Sequence, residues 1–538
     1  MPTYIAPGVY SEELDLSLYV PSLSSAIYGI VGGFKKGPVN IVTPITTRTQ
    51  FEQVFGTPLR GDVGFAAHSA LHFLRFGHQL RVVRVVDSMF AVATDNLRSD
   101  DSAMTVVGTV AGVSPGDWAN GFHILITERL VPSVADPLVN ELIFTLNVYA
   151  IGAGTVTSPF VFNFTGVAAL EVWTDVVFND PVNPRFVEKV INGNSLYINV
   201  TMSAPNADVE TERVYTLAGG NDGTMFLGDS DIIGTVDSNG IHKGLQAFDD
   251  PLLVDISLLS CPGFNHHRVV ALEMITICES RRDCFAVLDV PDTTNTAQKE
   301  ADYVLGSLGT PANPYFAFAP LPSTNYAGIY GPWIKVFDAY GKEEVLMPPT
   351  ARVMGNYAFN DSVAYPWFAV AGPNRGILQD TLDVLFKLSV GDVENTYGFG
   401  VNINPIQTTI DGIVINGNKT LQRKPSLLQN IHVRRMLLAI EKALAAATRY
   451  LLWEPHDPQT WRAYVNLVDP FIRDIVVKRG ITDFRVKCDS ETNTPYYINL
   501  GQLVAEIHLI PTNAVAIIVN RYIIHPAGIS LSSSTAVA

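Results

Sequence analysis

Hydrophobic and polar positions alternate with helical spacing most clearly between Gln429 and Trp453. The apolar positions recur every three or four residues: Ile431, Val433, Leu437, Leu438, Ile440 and Leu444. This spacing predicts an amphipathic helix over residues 429–453. Asp457 followed by Pro458 predicts the cap and first turn of a second helix, and Gly480 is a suitable residue for its C-terminal end.

The second helix contains Pro470, which predicts a kink or a restart with Asp469 as the new cap. Two alternating segments follow, Phe484–Cys488 and Leu503–Ile510, and their period of two predicts β-strands. A helix–helix–strand–strand unit of this kind is typical of a packing module. It contains no arrangement of residues that indicates catalysis.

The N-terminal third begins as an α/β sheet and then changes its pattern. Ala26–Gly33 and Gln79–Val86 predict buried strands, and Phe65–Phe76 predicts an amphipathic helix between them. From about Met89, short β-rich runs alternate with turn residues, which predicts an inserted β-rich domain that ends at Ala218–Gly223. The runs are Met104–Gly112, Phe122–Thr127, Glu141–Ala150, Pro159–Phe164 and Ser195–Met202, with one helix near Pro184–Ile191.

Strands and helices alternate again after residue 250. The predicted elements are Leu252–Ser260 (strand), His266–Ser280 (helix), Cys284–Val290 (strand), Thr296–Leu308 (helix) and Tyr315–Pro320 (strand). This order predicts a mostly parallel sheet. The expected fold class is therefore multidomain α/β and α+β. The expected parts are an N-terminal arm (1–20), an α/β domain in two pieces (21–88 and 219–425), the inserted domain (89–218), a C-terminal module (426–512) and a C-terminal arm (513–538).

Both ends of the chain carry strand-forming patterns. Thr3–Tyr10 alternates but contains Pro7 and Gly8, which confine such a strand to the edge of a sheet. It is either a frayed terminus or an arm that pairs with the sheet of another subunit. Ala514–Val519 is apolar, and without a partner it would be an exposed edge that promotes aggregation.

The composition indicates either an unusually large buried core or extensive burial against other subunits, and the many loops expected from 41 Gly and 33 Pro favour the second. Charged residues make up only 16% of the 538 residues, and the mean hydropathy is +0.19, although a charged content of about 25% is usual. The net charge of −16 and the absence of any Lys/Arg run longer than two residues argue against a nucleic-acid groove. We also expect no membrane insertion, because no long segment is apolar enough.

Candidate chemical sites are weak, and we predict no catalytic residue, metal or cofactor. His68 and His72 have a metal-binding spacing but no third ligand, and the sequence from Asp229 lacks the acidic residue that closes a calcium loop. Gly219–Gly223 lacks the lysine of a phosphate loop and is better explained as a turn. Cys284 opens an apolar strand, and we expect all four cysteines to be buried free thiols.

The sequence resembles the contractile tail sheath proteins of myoviruses and of related injection machines. The resemblance spans nearly the whole chain and rests on the order and spacing of short motifs. They are Pro7–Tyr10, Val31–Pro38, Ser114–Gly121, Leu217–Gly223, Leu258–Gly263, Cys284–Pro291, Gly331–Trp333, Met347–Pro349, Asn430–Arg435 and Trp453–Asp457.

The resemblance implies a structural subunit rather than an enzyme. Sheath proteins of this family form stacked hexameric rings around a tail tube and contract to drive the tube through a bacterial envelope. The implied partners are other copies of the chain, the tube protein, and baseplate and tail terminator proteins. The implied location is the virion tail, after assembly in the host cytoplasm. The inserted domain would face outward and the C-terminal module would face the tube.

The family also implies that arms of neighbouring subunits add strands to the C-terminal sheet. The arm residues would be Tyr4, Ile5, Val9, Tyr10, Val515, Ile517 and Val519. The accepting residues would be Phe484, Val486, Cys488, Val504, Glu506 and His508. Three alternatives stay open: the sheath of a headless, tailocin-like injection device, another tail or baseplate protein, and an α/β enzyme.

Overall fold

The computed structural model describes residues 26–521 with short gaps. The gaps are residues 101–103, 133–139, 153–154, 159–160, 165, 205–208, 212, 308–319 and 399. The predicted N-terminal arm therefore lies outside the described residues. Within the described ranges, no helix is long and apolar enough to cross a membrane.

The first elements form one edge of a large sheet. This sheet and the helices that belong to it are here called the body. These first elements are β1 (Ile27–Gly32), β2 (Thr43–Ile45), α1 (Arg48–Phe55), α2 (Phe65–Phe73) and β3 (Gln79–Arg84). All six residues of β1 are buried, as expected for an interior strand of a parallel sheet, which is covered on both faces. The Thr47 hydroxyl caps α1 by accepting from the backbone N–H of Gln50 at 3.2 Å.

Residues 94–216 then form the inserted segment. Its elements are β4 (Thr94–Arg98), β5 (Val106–Gly112), β6 (His123–Pro132), β7 (Asn140–Tyr149), β8 (Thr155–Ser158), β9 (Val161–Asn163), β10 (Glu171–Val176), α3 (Val187–Ile191), β11 (Ile198–Met202) and β12 (Val214–Thr216). They form three sheets, of order β10-β7-β6-β12, β11-β5-β4 and β8-β9, and among the described residues none of these sheets includes a strand of the body. Their buried residues form a core between Ala93 and Leu217, separate from that of the body.

The chain returns to the body after residue 217. The elements are α4 (Asp229–Ile233), β13 (Leu258–Ser260), α5 (Arg268–Arg281), β14 (Phe285–Asp289), α6 (Ala297–Leu305), β15 (Ala327–Gly331), β16 (Ile334–Asp338), β17 (Glu343–Met347), α7 (Thr350–Val363), α8 (Gly372–Arg375), β18 (Thr381–Val384), α9 (Val390–Tyr397), β19 (Ile403–Thr409) and β20 (Gly412–Ile415). Strands β17, β16 and β18 form a small antiparallel sheet of their own.

The body sheet has eight strands in the order β2-β3-β1-β13-β14-β15-β19-β20. Its six central strands are parallel, and β2 and β20 close the two edges in antiparallel orientation. The predicted mostly parallel sheet is confirmed. Two details differ. The first predicted strand shrinks to Leu258–Ser260, and Leu252 and Leu253 before it are exposed. The strand that follows α6 in the sheet is Ala327–Gly331, and Tyr315–Pro320 lies almost wholly outside the described residues.

The C-terminal module contains α10 (Ile431–Thr448), α11 (Pro458–Val477), β21 (Ile481–Lys487), α12 (Pro495–Asn499) and β22 (Glu506–Pro511). The Asp457 carboxylate caps α11, accepting from the backbone N–H groups of Gln459 and Thr460 at 2.9 Å, as predicted. The predicted restart at Pro470 is wrong, because α11 continues through it and Asp469 instead pairs with Arg473.

The end of α11 also differs from the prediction. The residue with positive φ is Arg479 (65°), not Gly480. Gly480 instead allows close packing, because a side chain there would meet Ile475 and the ring of Trp367. By contrast, Gly219 (φ 81°) and Gly223 (φ 62°) adopt the left-handed conformation that the turn interpretation requires.

Helix α10 contributes to two hydrophobic cores. Ile431 and Leu438 pack into the body core. Met436, Ile440 and Leu444 pack with α11, β21 and β22 in a separate module core. The helix therefore joins the module to the body.

Candidate intersubunit surface

The predicted strand-accepting sheet is a two-stranded antiparallel ribbon. Phe484 lies opposite Leu509, Arg485 opposite His508, and Val486 opposite Ile507. Within the part of the chain that the structure describes, no further strand pairs with either one. Both outer edges thus carry backbone groups that could pair with an added strand, because a two-stranded ribbon uses only its inner edges.

The two faces of the ribbon differ in polarity. Phe484, Val486, Ile507 and Leu509 pack against the module core. On the opposite face, Arg485, Glu506 and His508 are exposed, and His508 Nε2 lies 3.4 Å from Glu506 Oε2. The alternation read from the sequence therefore gives the correct orientation for these residues.

Cys488 and Val504 do not belong to the paired strands, which corrects their assignment. The strands end at Lys487 and begin again at Glu506. The Asn493 side chain holds Val504 in place. Its NH2 group donates to the Val504 carbonyl at 3.0 Å, and its carbonyl oxygen accepts from the Val504 N–H at 2.8 Å. Cys488 is buried beside it. These residues close the connection between the strands instead of extending the sheet.

The tail after β22 is exposed along its described length. Val515, Ile517 and Val519 have relative exposures of 80%, 81% and 73%, and residues 512–521 form no helix or strand. Three large apolar side chains at alternate positions, all exposed, are unusual on a protein surface, where such groups are normally covered. Tyr4, Ile5, Val9 and Tyr10 lie outside the described residues.

A buried ion pair attaches the module to the body and was not anticipated from the sequence. The Arg435 guanidinium on α10 donates to both carboxylate oxygens of Asp361 on α7, at 3.2 and 2.6 Å. Arg435 also lies 4.6 Å from the ring centroid of Tyr357. Burial opposes the charge of Arg435, but Asp361 raises its pKa. The adjacent Arg434 and Arg435 in the predicted helix were the available signal, but the partner 74 residues upstream could not be identified from the sequence.

The remaining candidate sites contain no ligand cluster. In the described ranges, no three His, Cys, Asp or Glu side chains are grouped to hold a metal. His68 and His72 are buried on α2, and burial lowers the pKa of His68 to about 4. Asp229 begins α4 and pairs with His267. The Cys284 thiol is buried, 3.2 Å from the Cys278 sulfur, and all four cysteines are buried and free.

The chain is similar in sequence to known sheath proteins. Residues 423–523, which include the ribbon and the described tail, match the family model "Phage tail sheath C-terminal domain". The tail sheath protein of Enterobacteria phage T4 is 25% identical over 100% of this chain and 100% of its own. That of Vibrio phage KVP40 is 22% identical over 97% of this chain and 98% of its own.

The fold is similar to solved sheath structures. The sheath tail protein from Listeria innocua has a TM-score of 0.56 at 10% identity, covering 90% of this chain and 95% of its own. The sheath of an extracellular contractile injection system in its contracted state has a TM-score of 0.54 at 15% identity, covering 97% and 98%. Over its full length the chain is therefore similar in sequence to phage tail sheath proteins, and it shares the fold of solved contractile sheath proteins.

Proposed function

We propose that the chain is the structural subunit of a contractile sheath. It would polymerise as stacked hexameric rings around a tail tube and shorten to drive the tube through the bacterial envelope. The observation that carries the proposal is the open ribbon of β21 and β22 next to an exposed apolar tail. Both belong to the segment that matches the sheath C-terminal domain.

The tail and the ribbon supply what strand exchange requires. A strand of six to eight residues adds several backbone hydrogen bonds, each of about 1 kcal/mol net. Burial of Val515, Ile517 or Val519 would add roughly 1.5–3 kcal/mol per side chain. The N-terminal arm, with Ile5 and Val9, would supply a second added strand. Accepting edges near Phe484, Val486, Glu506 and His508 would hold the neighbours together.

Such links suit a lattice whose subunits move as rigid bodies. Backbone pairing moves with the arm, while side-chain contacts between bodies exchange, so neighbours stay joined during the movement. The work would come from the free-energy difference between two packings of the same chain. On this proposal the protein is not an enzyme and needs no cofactor. Its partners would be other copies, the tube, and baseplate and terminator proteins, with no nucleic acid.

The tail is tested by adding charge to one of its two faces. Val515→Asp/Ile517→Asp should abolish rings and tubes in negative-stain microscopy, because the strand would bury two carboxylates. The thermal unfolding midpoint of the unassembled subunit should not change, since both side chains are already exposed. Ala514→Asp/Ala516→Asp adds the same charge on the opposite face and serves as the matched control. Normal assembly of the first variant would contradict the pairing.

The N-terminal arm is tested by deletion of Met1–Tyr10. The shortened protein should stay folded, because residues from Ala26 onward form the hydrophobic cores described above. It should stay monomeric, because on this proposal the arm links neighbouring subunits. If it assembles as well as the full chain, the arm takes no part in the lattice. Sheaths of phage tails and of headless injection devices share this fold, and images of the native particle with or without a head distinguish them.

A further inference from the structure

Two cysteine thiols lie in contact inside the body, away from the ribbon and the tail. The Cys284 thiol donates to the Cys278 sulfur at 3.2 Å, and both side chains are fully buried. A small shift of either side chain would bring the sulfurs to the distance of a covalent bond. The two thiols therefore form a candidate cross-linking site.

The turn between α5 and β14 brings the two cysteines together. Cys278 lies in the last turn of α5, and Cys284 immediately precedes β14. Arg282 has a positive φ of 60°, and its N–H donates to the Cys278 carbonyl at 3.0 Å. This left-handed residue reverses the chain at the end of the helix, so that Cys284 returns to the last turn of α5.

The buried Arg281 side chain stabilises the same turn. Its guanidinium donates to both carboxylate oxygens of Asp283 at 2.8 Å and to the Val254 carbonyl at 2.8 Å. The two sulfurs are thus held next to each other by the folded backbone. Such proximity favours a bond between them over a bond to a distant cysteine.

The residues that connect the two cysteines lie on the surface of the body, where local opening admits a small oxidant. Glu279, Ser280 and Arg282 are exposed. Burial raises the pKa of the Cys278 thiol, and the charge of Arg281 opposes part of that rise. Because the thiolate is the reactive form, we expect oxidation of the folded protein to take hours.

We propose that Cys278 and Cys284 are a modification site, at which oxidation forms a disulfide that ties α5 to β14. The oxidant is a low-molecular-weight disulfide such as oxidised glutathione. One cysteine thiolate attacks a glutathione sulfur and releases a glutathione thiolate. The second cysteine thiolate attacks the protein sulfur of this mixed disulfide and releases the other glutathione.

The reaction is balanced, because the two cysteines give up two protons and two electrons, and oxidised glutathione takes them up as two thiols. The new bond closes the short loop from Cys278 to Cys284. It lowers the entropy of the unfolded chain, so the oxidised body should resist unfolding better than the reduced one. This inference does not depend on the proposed sheath function.

The test is differential alkylation of the thiols in the full-length protein. The reduced protein is incubated with oxidised glutathione, unfolded with N-ethylmaleimide and digested with trypsin without reduction. Trypsin cleaves after Arg281 and Arg282, so the two cysteines fall on separate peptides. Mass spectrometry should find these peptides joined, and the alkylated fraction of both cysteines should fall by about tenfold. Cys261, equally buried in the body core, should remain an alkylated thiol.

Substitutions connect the cross-link to its effect on stability. The urea midpoint of the wild type should rise on oxidation and return on reduction with dithiothreitol. Cys284→Ala should abolish that rise, and Cys261→Ala is the matched control that should keep it. The cross-link is measured in the wild type, so that result stands whether or not Cys284→Ala folds.

Three outcomes would overturn the proposal. The first is that Cys278 and Cys284 both remain alkylated thiols after the incubation. The second is that glutathione stays attached to either cysteine as a mixed disulfide. The third is that the bond joins Cys278 or Cys284 to another cysteine or to a second copy of the chain, which a non-reducing gel detects.

Discussion

Asp289 is a buried carboxylate at the carboxyl end of β14, where it holds the start of α7. One oxygen accepts from the Thr350 N–H at 2.9 Å, and the other accepts from the Asn265 amide at 2.9 Å and the Thr350 hydroxyl at 2.5 Å. Burial outweighs these hydrogen bonds and raises the pKa of Asp289 from 3.8 to about 7. The folded protein therefore binds a proton here that the unfolded chain has lost.

The raised pKa predicts a specific dependence of stability on pH. Between about pH 4 and pH 7 the folded state binds more protons at Asp289 than the unfolded state, so this group's contribution to stability falls as pH rises. Asp289→Asn should remove that dependence on pH. It should also lower the free energy of unfolding by about 1–3 kcal/mol, because the amide cannot accept all the hydrogen bonds that the carboxylate accepts. The thermal midpoint of the wild type should therefore exceed that of Asp289→Asn by less at pH 8 than at pH 5.

The exposed Asp411 provides the control for this measurement. Asp411→Asn should change the thermal midpoint little, because the Asp411 side chain is exposed to solvent. A wild-type advantage over Asp289→Asn that stays constant or grows with pH would contradict the assignment.

At the scale of elements, the contact between α7 and α10 shows how a packed module is joined to a sheet domain. The side chains of Asp361 and Arg435 are only 5% and 4% exposed. Removal of one partner from such a pair leaves an uncompensated buried charge, whereas replacement of both costs much less. The Trp367 indole strengthens the same junction by donating to the Lys478 carbonyl at 3.0 Å.

A double-mutant cycle measures this junction. Asp361→Ala should destabilise the subunit by about 3–5 kcal/mol, because Arg435 would stay buried without its partner. Asp361→Ala/Arg435→Met should recover a large part of that loss, as the methionine can pack on Tyr357. Urea unfolding followed by tryptophan fluorescence reports both, since Trp367 lies at the junction. Additive effects of the two single changes would exclude the coupling.

Local patterns predicted the elements well where one chain segment determines them. The capped start of α11, the mostly parallel order of the body sheet and the alternating faces of the ribbon all follow from short-range rules. Pro470 misled the prediction because packing of α11 against the module core outweighs the lost hydrogen bond. The Arg435–Asp361 pair depends on a contact between distant segments, which periodicity does not encode.

At the scale of the whole molecule, Arg84 joins the body to the inserted segment. It is fully buried at the end of β3, and burial lowers its pKa only to about 10, so it stays protonated. Its guanidinium donates to the carbonyl groups of Gly37, Pro115 and Asp222 at 3.0, 2.7 and 3.1 Å. One side chain thus contacts the body, the inserted segment and the chain that returns from it.

Arg84→Met should loosen this junction. Three carbonyl groups would lose a charged donor, at a cost of roughly 3 kcal/mol. The thermal midpoint should fall, and limited proteolysis should cut residues 87–91 or 221–226 faster than in the wild type. Arg81→Met, on the same strand but half-buried, is the control and should leave proteolysis unchanged. If Arg84→Met and Arg81→Met are cleaved at the same rate in limited proteolysis, Arg84 does not hold the junction.

The two ends of the inserted segment lie side by side, because the Ala91 N–H donates to the Asn221 carbonyl at 3.1 Å. A segment with adjacent ends and its own core can be gained, lost or exchanged in evolution without changing the path of the body strands. Changes within residues 94–216 can therefore be accommodated while the strand order of the body is kept. The inserted segment and the body sheet can for that reason diverge at different rates within one gene.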